Sequence, residues 1–124
     1  DEKSLVSLLL NFFKIRHIEV CFIAYDGYEA LLNFIHCNAH PHIVLMDYRL
    51  PSMNGIEVTK EILNISPDTK VIFLSADEGV RDSALKAGAI NFLQKPTSLK
   101  DIALAIEEVV EKFPGIKVYN TNDL

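Results

Sequence analysis

Apolar and polar positions along the chain alternate between two periods. From Ser4 to Ile15, Leu5, Leu8, Leu9, Phe12 and Phe13 recur at helical spacing, which predicts a helix with one inward stripe. Ile18 to Ala24 (IEVCFIA) reads as a strand, Tyr25-Asp26-Gly27 as a turn, and Tyr28 to Cys37 as a helix with Ala30, Leu31, Phe34 and Ile35 inward. His42 to Met46 is a continuous apolar run ending at Asp47, the pattern of a strand buried on both faces. A loop with Pro51 and Gly55 leads to a helix over Ile56 to Ile65, stopped by Ser66-Pro67. Lys70 to Leu74 is a second buried strand, ending at Ser75. Gly79 to Ala87 reads as a short helix closed by Gly88, and Ile90 to Leu93 as a strand ending in Gln94-Lys95-Pro96. Ser98 suits the N-cap of a last helix reaching Phe113, with Ile102, Ala105, Ile106, Val109 and Val110 inward. Pro114-Gly115 ends it, so 1–113 reads as the domain and 114–124 as a tail or linker.

Strands alternating with helices imply an α/β fold with a parallel, doubly wound sheet. The chain opens on a helix, although the first helix of such a fold normally follows a central strand. Either that strand is missing from this chain, or the run Ile116 to Tyr119 (IKVY) takes its place. The first alternative fits better, because IKVY is short and half polar. The chain begins Asp1-Glu2-Lys3, without Met or a signal-peptide pattern, as expected of a fragment.

Length and composition narrow the class. The 124 residues are the size of one domain, and 49% hydrophobic residues are enough for a core. A net charge of −5 argues against direct nucleic-acid binding, which needs a basic face. Two cysteines, Cys21 and Cys37, are too few for a disulfide scaffold, so a reduced, cytoplasmic setting is expected, with Cys21 a small core residue. The stretch Leu5 to Phe13 is cut by Ser7 and Asn11 and is too short to cross a membrane, which takes about 20 residues. Cys37, His40 and His42 have a metal-like spacing, but a surface loop explains them better than a zinc site.

Ligands of an open parallel sheet sit at the carboxyl ends of its strands. Asp47, Ser75 and Lys95 fall at three such ends, and Asp1 would fall at a fourth, just before the first helix. Carboxylates, a hydroxyl and an ammonium in one crevice suit Mg²⁺ plus a phosphoryl group, and a carboxylate can itself accept the phosphoryl group. Each residue alone reads more simply as a turn or cap residue; it is their joint placement that points to chemistry.

Four segments, AYDGYEAL (24–31), HIVLMDYRLPSMNG (42–55), VIFLSA (71–76) and AGAINFLQKP (87–96), resemble the receiver domain of two-component response regulators, from Asp1 to Phe113. The resemblance implies the flavodoxin-like strand order 2-1-3-4-5, which the pattern itself does not supply. It implies that Asp47 is the phosphoacceptor, that Lys95 pairs with it and then with the phosphoryl group, and that Ser75 is the switch hydroxyl. Arg49 falls where the family offers a main-chain carbonyl to Mg²⁺, and Phe92 at the aromatic switch position, without a hydroxyl. Arg49 and Asp77 stand where the family tunes phosphoryl lifetime. Their charges could pair across the site, but two solvated surface charges are the stronger reading.

The family has two adjacent acids before the first helix. Taking Asp1 as the first would bury Lys14, whereas taking it as the second leaves only apolar residues inward. Asp1 is then a direct metal ligand, and the other acid is absent with its strand. The resemblance further implies a histidine kinase or phosphotransfer protein as donor. Ser75 is expected to be drawn in and Phe92 to turn inward, reshaping a partner or homodimer surface on the last two helices and the strand between them. The domain would be an enzyme only towards its own phosphotransfer and hydrolysis. A phosphate-independent binding module is disfavoured by the intact Asp47, Ser75 and Lys95. A haloacid-dehalogenase-like phosphatase is disfavoured because Asp47-Tyr48-Arg49 lacks a second acid.

Overall fold

Nine segments follow one another in the computed structural model, which describes residues 2–113. Asp1, the tail 114–124 and its IKVY run lie outside the described residues. They are α1 (Glu2–Ile15), α2 (Gly27–His36), β1 (Ile43–Asp47), α3 (Gly55–Ile65), β2 (Lys70–Ser75), a 3-10 turn (Glu78–Val80), α4 (Arg81–Lys86), β3 (Asn91–Gln94) and α5 (Leu99–Lys112). They divide into two compact units. One is Phe22–Thr97; the other joins the stretch up to Cys21 with the stretch from Ser98.

The Phe22–Thr97 unit is built on a parallel sheet in the order β1-β2-β3. Its central strand, β2, is buried from Val71 to Ser75 because it has a neighbour on each side. β1 carries an equally apolar sequence, yet only Met46 is fully buried. The expectation of burial on both faces is corrected there: among the described residues β1 pairs on one side only. Phe34, Met46, Val58, Ile62, Val71, Phe73 and Phe92 form the core. The helices begin where side chains satisfy their open N–H groups. Asp26 accepts from the Glu29 N–H, and Asn54 and Glu57 bond each other reciprocally at the start of α3. The single helix expected over 79–87 is instead a 3-10 turn running into α4.

Three further expectations change. Residues 18–24 form no strand: a strand needs a ladder, and among the described residues the sheet comprises β1, β2 and β3. Phe22 and Ala24 still pack on the core of their unit, while Val20 and Ile23 are exposed. Cys21 is exposed and not a core residue, since the strand that would have seated it in a sheet does not form. Ile35, at the edge of the α2 stripe, is 46% exposed, whereas Ala30 and Phe34 are buried.

In the second unit, α1 lies against α5, and Arg16 ties them through Glu107 at 3.1 Å while stacking on Phe12. Ser98 caps α5 by accepting from the Asp101 N–H, and Ile102, Ala105, Ile106 and Val109 are buried. Leu9 is buried, but Leu8, expected inward, is 56% exposed. Among the described residues of this unit α1 has one helical neighbour, α5, which covers a narrower arc than the apolar stripe offers.

Candidate functional site

The parallel register brings three strand ends to one edge. Asp47 closes β1 opposite Leu74, and Ser75 closes β2 opposite Gln94. The Lys95 N–H donates to the Ser75 carbonyl at 2.8 Å, which extends the β2–β3 pairing by one residue and sets Lys95 beside Ser75. From there the lysine reaches past β2, and its Nζ donates to Asp47 Oδ2 at 2.7 Å. The other carboxylate oxygen, Oδ1, accepts the Arg49 N–H at 3.2 Å. Ser75 is 2% exposed, and its Oγ accepts the Asp77 N–H at 3.0 Å. A hydroxyl that accepts in this way still has its own proton to donate.

The loop after Asp47 is held tightly. Gly55 donates its N–H to the Tyr48 carbonyl, and a Cβ at Gly55 would lie 2.0 Å from the Asp47 carbonyl oxygen. Only glycine allows that approach. Gly27 plays the same part at the start of α2, where a Cβ would meet the Met53 carbonyl at 1.8 Å; its N–H donates to the Pro51 carbonyl. The Ser52 hydroxyl donates to Asp26 Oδ1 at 2.7 Å and accepts the Tyr28 N–H. The Ser52 hydroxyl, and then the Glu29 N–H, hold the Asp26 carboxyl below its ordinary value.

Arg49 Nη2 lies 3.9 Å from Asp77 Oδ2, with the arginine side chain 76% exposed. Such a pair contributes little to stability. Asp77 also caps the 3-10 turn by accepting the Gly79 N–H. Phe92 is 3% exposed, its ring stacked on Phe73 at 6.1 Å. An inward turn of Phe92 therefore has no outward starting point in this conformation. His40 stacks on Phe34, and no cluster of three metal-ligating side chains occurs among the described residues. Asp1 lies outside the described residues. The Asp47 carboxylate is an oxygen donor of the kind that suits Mg²⁺, which is commonly held by one or two carboxylates with waters.

Two features are not read from the sequence. One is the Asp26–Ser52 brace. The other is Arg81, whose guanidinium stacks over Phe92 while Glu78 holds it and raises its pKa. The i, i+3 spacing of Glu78 and Arg81 is the signal that could have found their ion pair.

The family model of the response regulator receiver domain matches residues 1–107. The chemotaxis protein CheY of Thermotoga maritima is 38% identical over 93 residues, covering 73% of this chain and 76% of that protein. The transcriptional regulatory protein YesN of Bacillus subtilis is 33% identical over 70% of this chain, which spans only 24% of YesN. Among solved structures, the receiver domain of the Francisella response regulator 1452 superposes with a TM-score of 0.77 at 26% identity, covering 90% of this chain and 92% of that one. No helix among the described residues is long and apolar enough to cross a membrane. The matched residues and the convergent strand ends agree: this chain belongs to the response regulator receiver domain family.

Proposed function

We propose that the protein is a signalling switch that accepts a phosphoryl group on Asp47 from the phosphohistidine of a histidine kinase or phosphotransfer protein. The observation that carries this reading is the Lys95 ammonium 2.7 Å from the Asp47 carboxylate at the carboxyl edge of the sheet. An Asp47 oxygen attacks phosphorus, the bond to the donor imidazole nitrogen breaks, and the imidazole leaves with its electron pair. Lys95 holds Asp47 in place before transfer and offsets the added charge afterwards. Ser75 then donates its hydroxyl proton to a phosphoryl oxygen. Asp47 and the Arg49 carbonyl would hold Mg²⁺, which when bound neutralises charge developing between acceptor and phosphoryl oxygens. Arg49 and Asp77 flank the water that later hydrolyses the acyl phosphate.

In this reading β1, β2 and β3 are the third, fourth and fifth strands of a 2-1-3-4-5 sheet, and residues 18–24 occupy the stretch of the second. The response is carried by α4 and β3, where a partner or a second copy would sense it.

Incubation with acetyl phosphate tests the reading. Mg²⁺-dependent gain of one phosphoryl group, removed by hydroxylamine, supports it. A protein that takes no label at any Mg²⁺ concentration contradicts it.

A further inference from the structure

Phe92 has no hydroxyl, so no hydrogen bond can set where its ring points. Contacts set it instead: the Phe73 ring stacks on it, and the Arg81 Cζ lies 4.7 Å from its centroid. Arg81 is itself aimed. Its Nε donates to Glu78 Oε1 at 2.5 Å and its Nη2 to Oε2 at 3.3 Å. Glu78 sits in the 3-10 turn capped by Asp77, and the Asp77 N–H donates to Ser75 Oγ. Consecutive hydrogen bonds thus join Ser75 to the turn that holds Arg81 over Phe92.

We propose that Arg81, aimed by Glu78, is a positioning residue that holds Phe92 in its buried conformer and links that conformer to the Ser75 hydroxyl. The link to phosphorylation rests on the reading of Asp47 as phosphoacceptor; the hold on Phe92 does not. A partly exposed guanidinium over a phenyl ring gives a bias of roughly two- to fivefold. That is enough to set which ring conformer the resting protein favours. Because Phe92 is already buried, Ser75 meets an aromatic ring that has made its move.

Aromatic ¹³C relaxation dispersion at Phe92, with labelling by acetyl phosphate and Mg²⁺, tests this. In Arg81→Gln the population of an outward ring rises roughly two- to fivefold, and Glu78→Gln gives a smaller change of the same sign. Labelling slows by a similar factor in Arg81→Gln, but the same substitution in a Phe92→Leu background slows it no further. Unchanged ring populations in Arg81→Gln overturn the proposal, and so does an equal slowing in both backgrounds. If no variant takes label, the phosphoacceptor reading fails, while the ring populations still decide whether Arg81 holds Phe92.

Discussion

Lys95 and Asp47 are 48 positions apart, at the ends of strands separated by β2, yet their charged atoms meet at 2.7 Å with side chains only 18% and 25% exposed. Shielding from water strengthens the attraction and makes either charge costly to leave alone. Lys95→Ala should therefore lower stability by about 1–3 kcal/mol while leaving one cooperative urea transition. In the proposed mechanism it should also uncouple labelling of Asp47 from any spectral change in β3 and α4. A variant that responds like the parent contradicts the role given to Lys95.

Arg49 and Asp77 call for a subtler test, because Asp77 also caps the 3-10 turn. Asp77→Asn keeps an oxygen for the Gly79 N–H and removes only the charge. Combined with Arg49→Ala, it should move stability by no more than about 1 kcal/mol, as expected of an exposed pair. The lifetime of phosphorylated Asp47 should change severalfold. An unchanged lifetime returns both residues to ordinary surface charges.

Gly55 is the tightest point beside the site. Its missing Cβ would stand 2.0 Å from the Asp47 carbonyl and 3.0 Å from the Phe73 ring. Gly55→Ala should cost about 3 kcal/mol or more, read as a shift of the urea midpoint. A loss below about 1 kcal/mol would mean that the loop has room the structure does not show.

Thr59 is fully buried on α3, and its Oγ1 has no hydrogen-bond partner among the described residues. Thr59→Val keeps the shape and removes the unpaired oxygen. Thermal or urea unfolding should show equal or higher stability, by up to about 1 kcal/mol. A clear loss would place a bonded water at that hydroxyl.

Acid should loosen the Asp26–Ser52 brace. The folded-state pKa of Asp26 lies below its ordinary 3.8, chiefly because Ser52 donates to the carboxylate. The stability this adds is present above that ordinary value and is lost as pH falls through the lowered folded value. Asp26→Asn does not titrate, so the advantage of the parent over it should shrink as pH falls. An advantage that is constant or grows in acid contradicts the brace.

Much of this was legible in the sequence, and the rest was hidden for physical reasons. The runs ending at Asp47, Ser75 and Gln94 announced β1, β2 and β3, because a buried parallel strand must be apolar throughout. Pattern cannot supply a ladder partner, so Ile18–Ala24 looked like a strand and forms none. Nor can it say how wide an arc a neighbour covers, which is why Leu8 and Ile35 came out exposed. Asp47, Ser75 and Lys95 were visible at strand ends, whereas the Arg81 contact with Phe92 depends on a 3-10 turn that no local signal specified.

The central claim is that Asp47 takes the phosphoryl group, and mapping the label tests it most directly. After reaction with acetyl phosphate and Mg²⁺, reductive trapping of the acyl phosphate and peptide sequencing should place the modification on Asp47 alone, and Asp47→Asn should yield none. A trapped label on another residue, or full labelling of Asp47→Asn, would contradict the account.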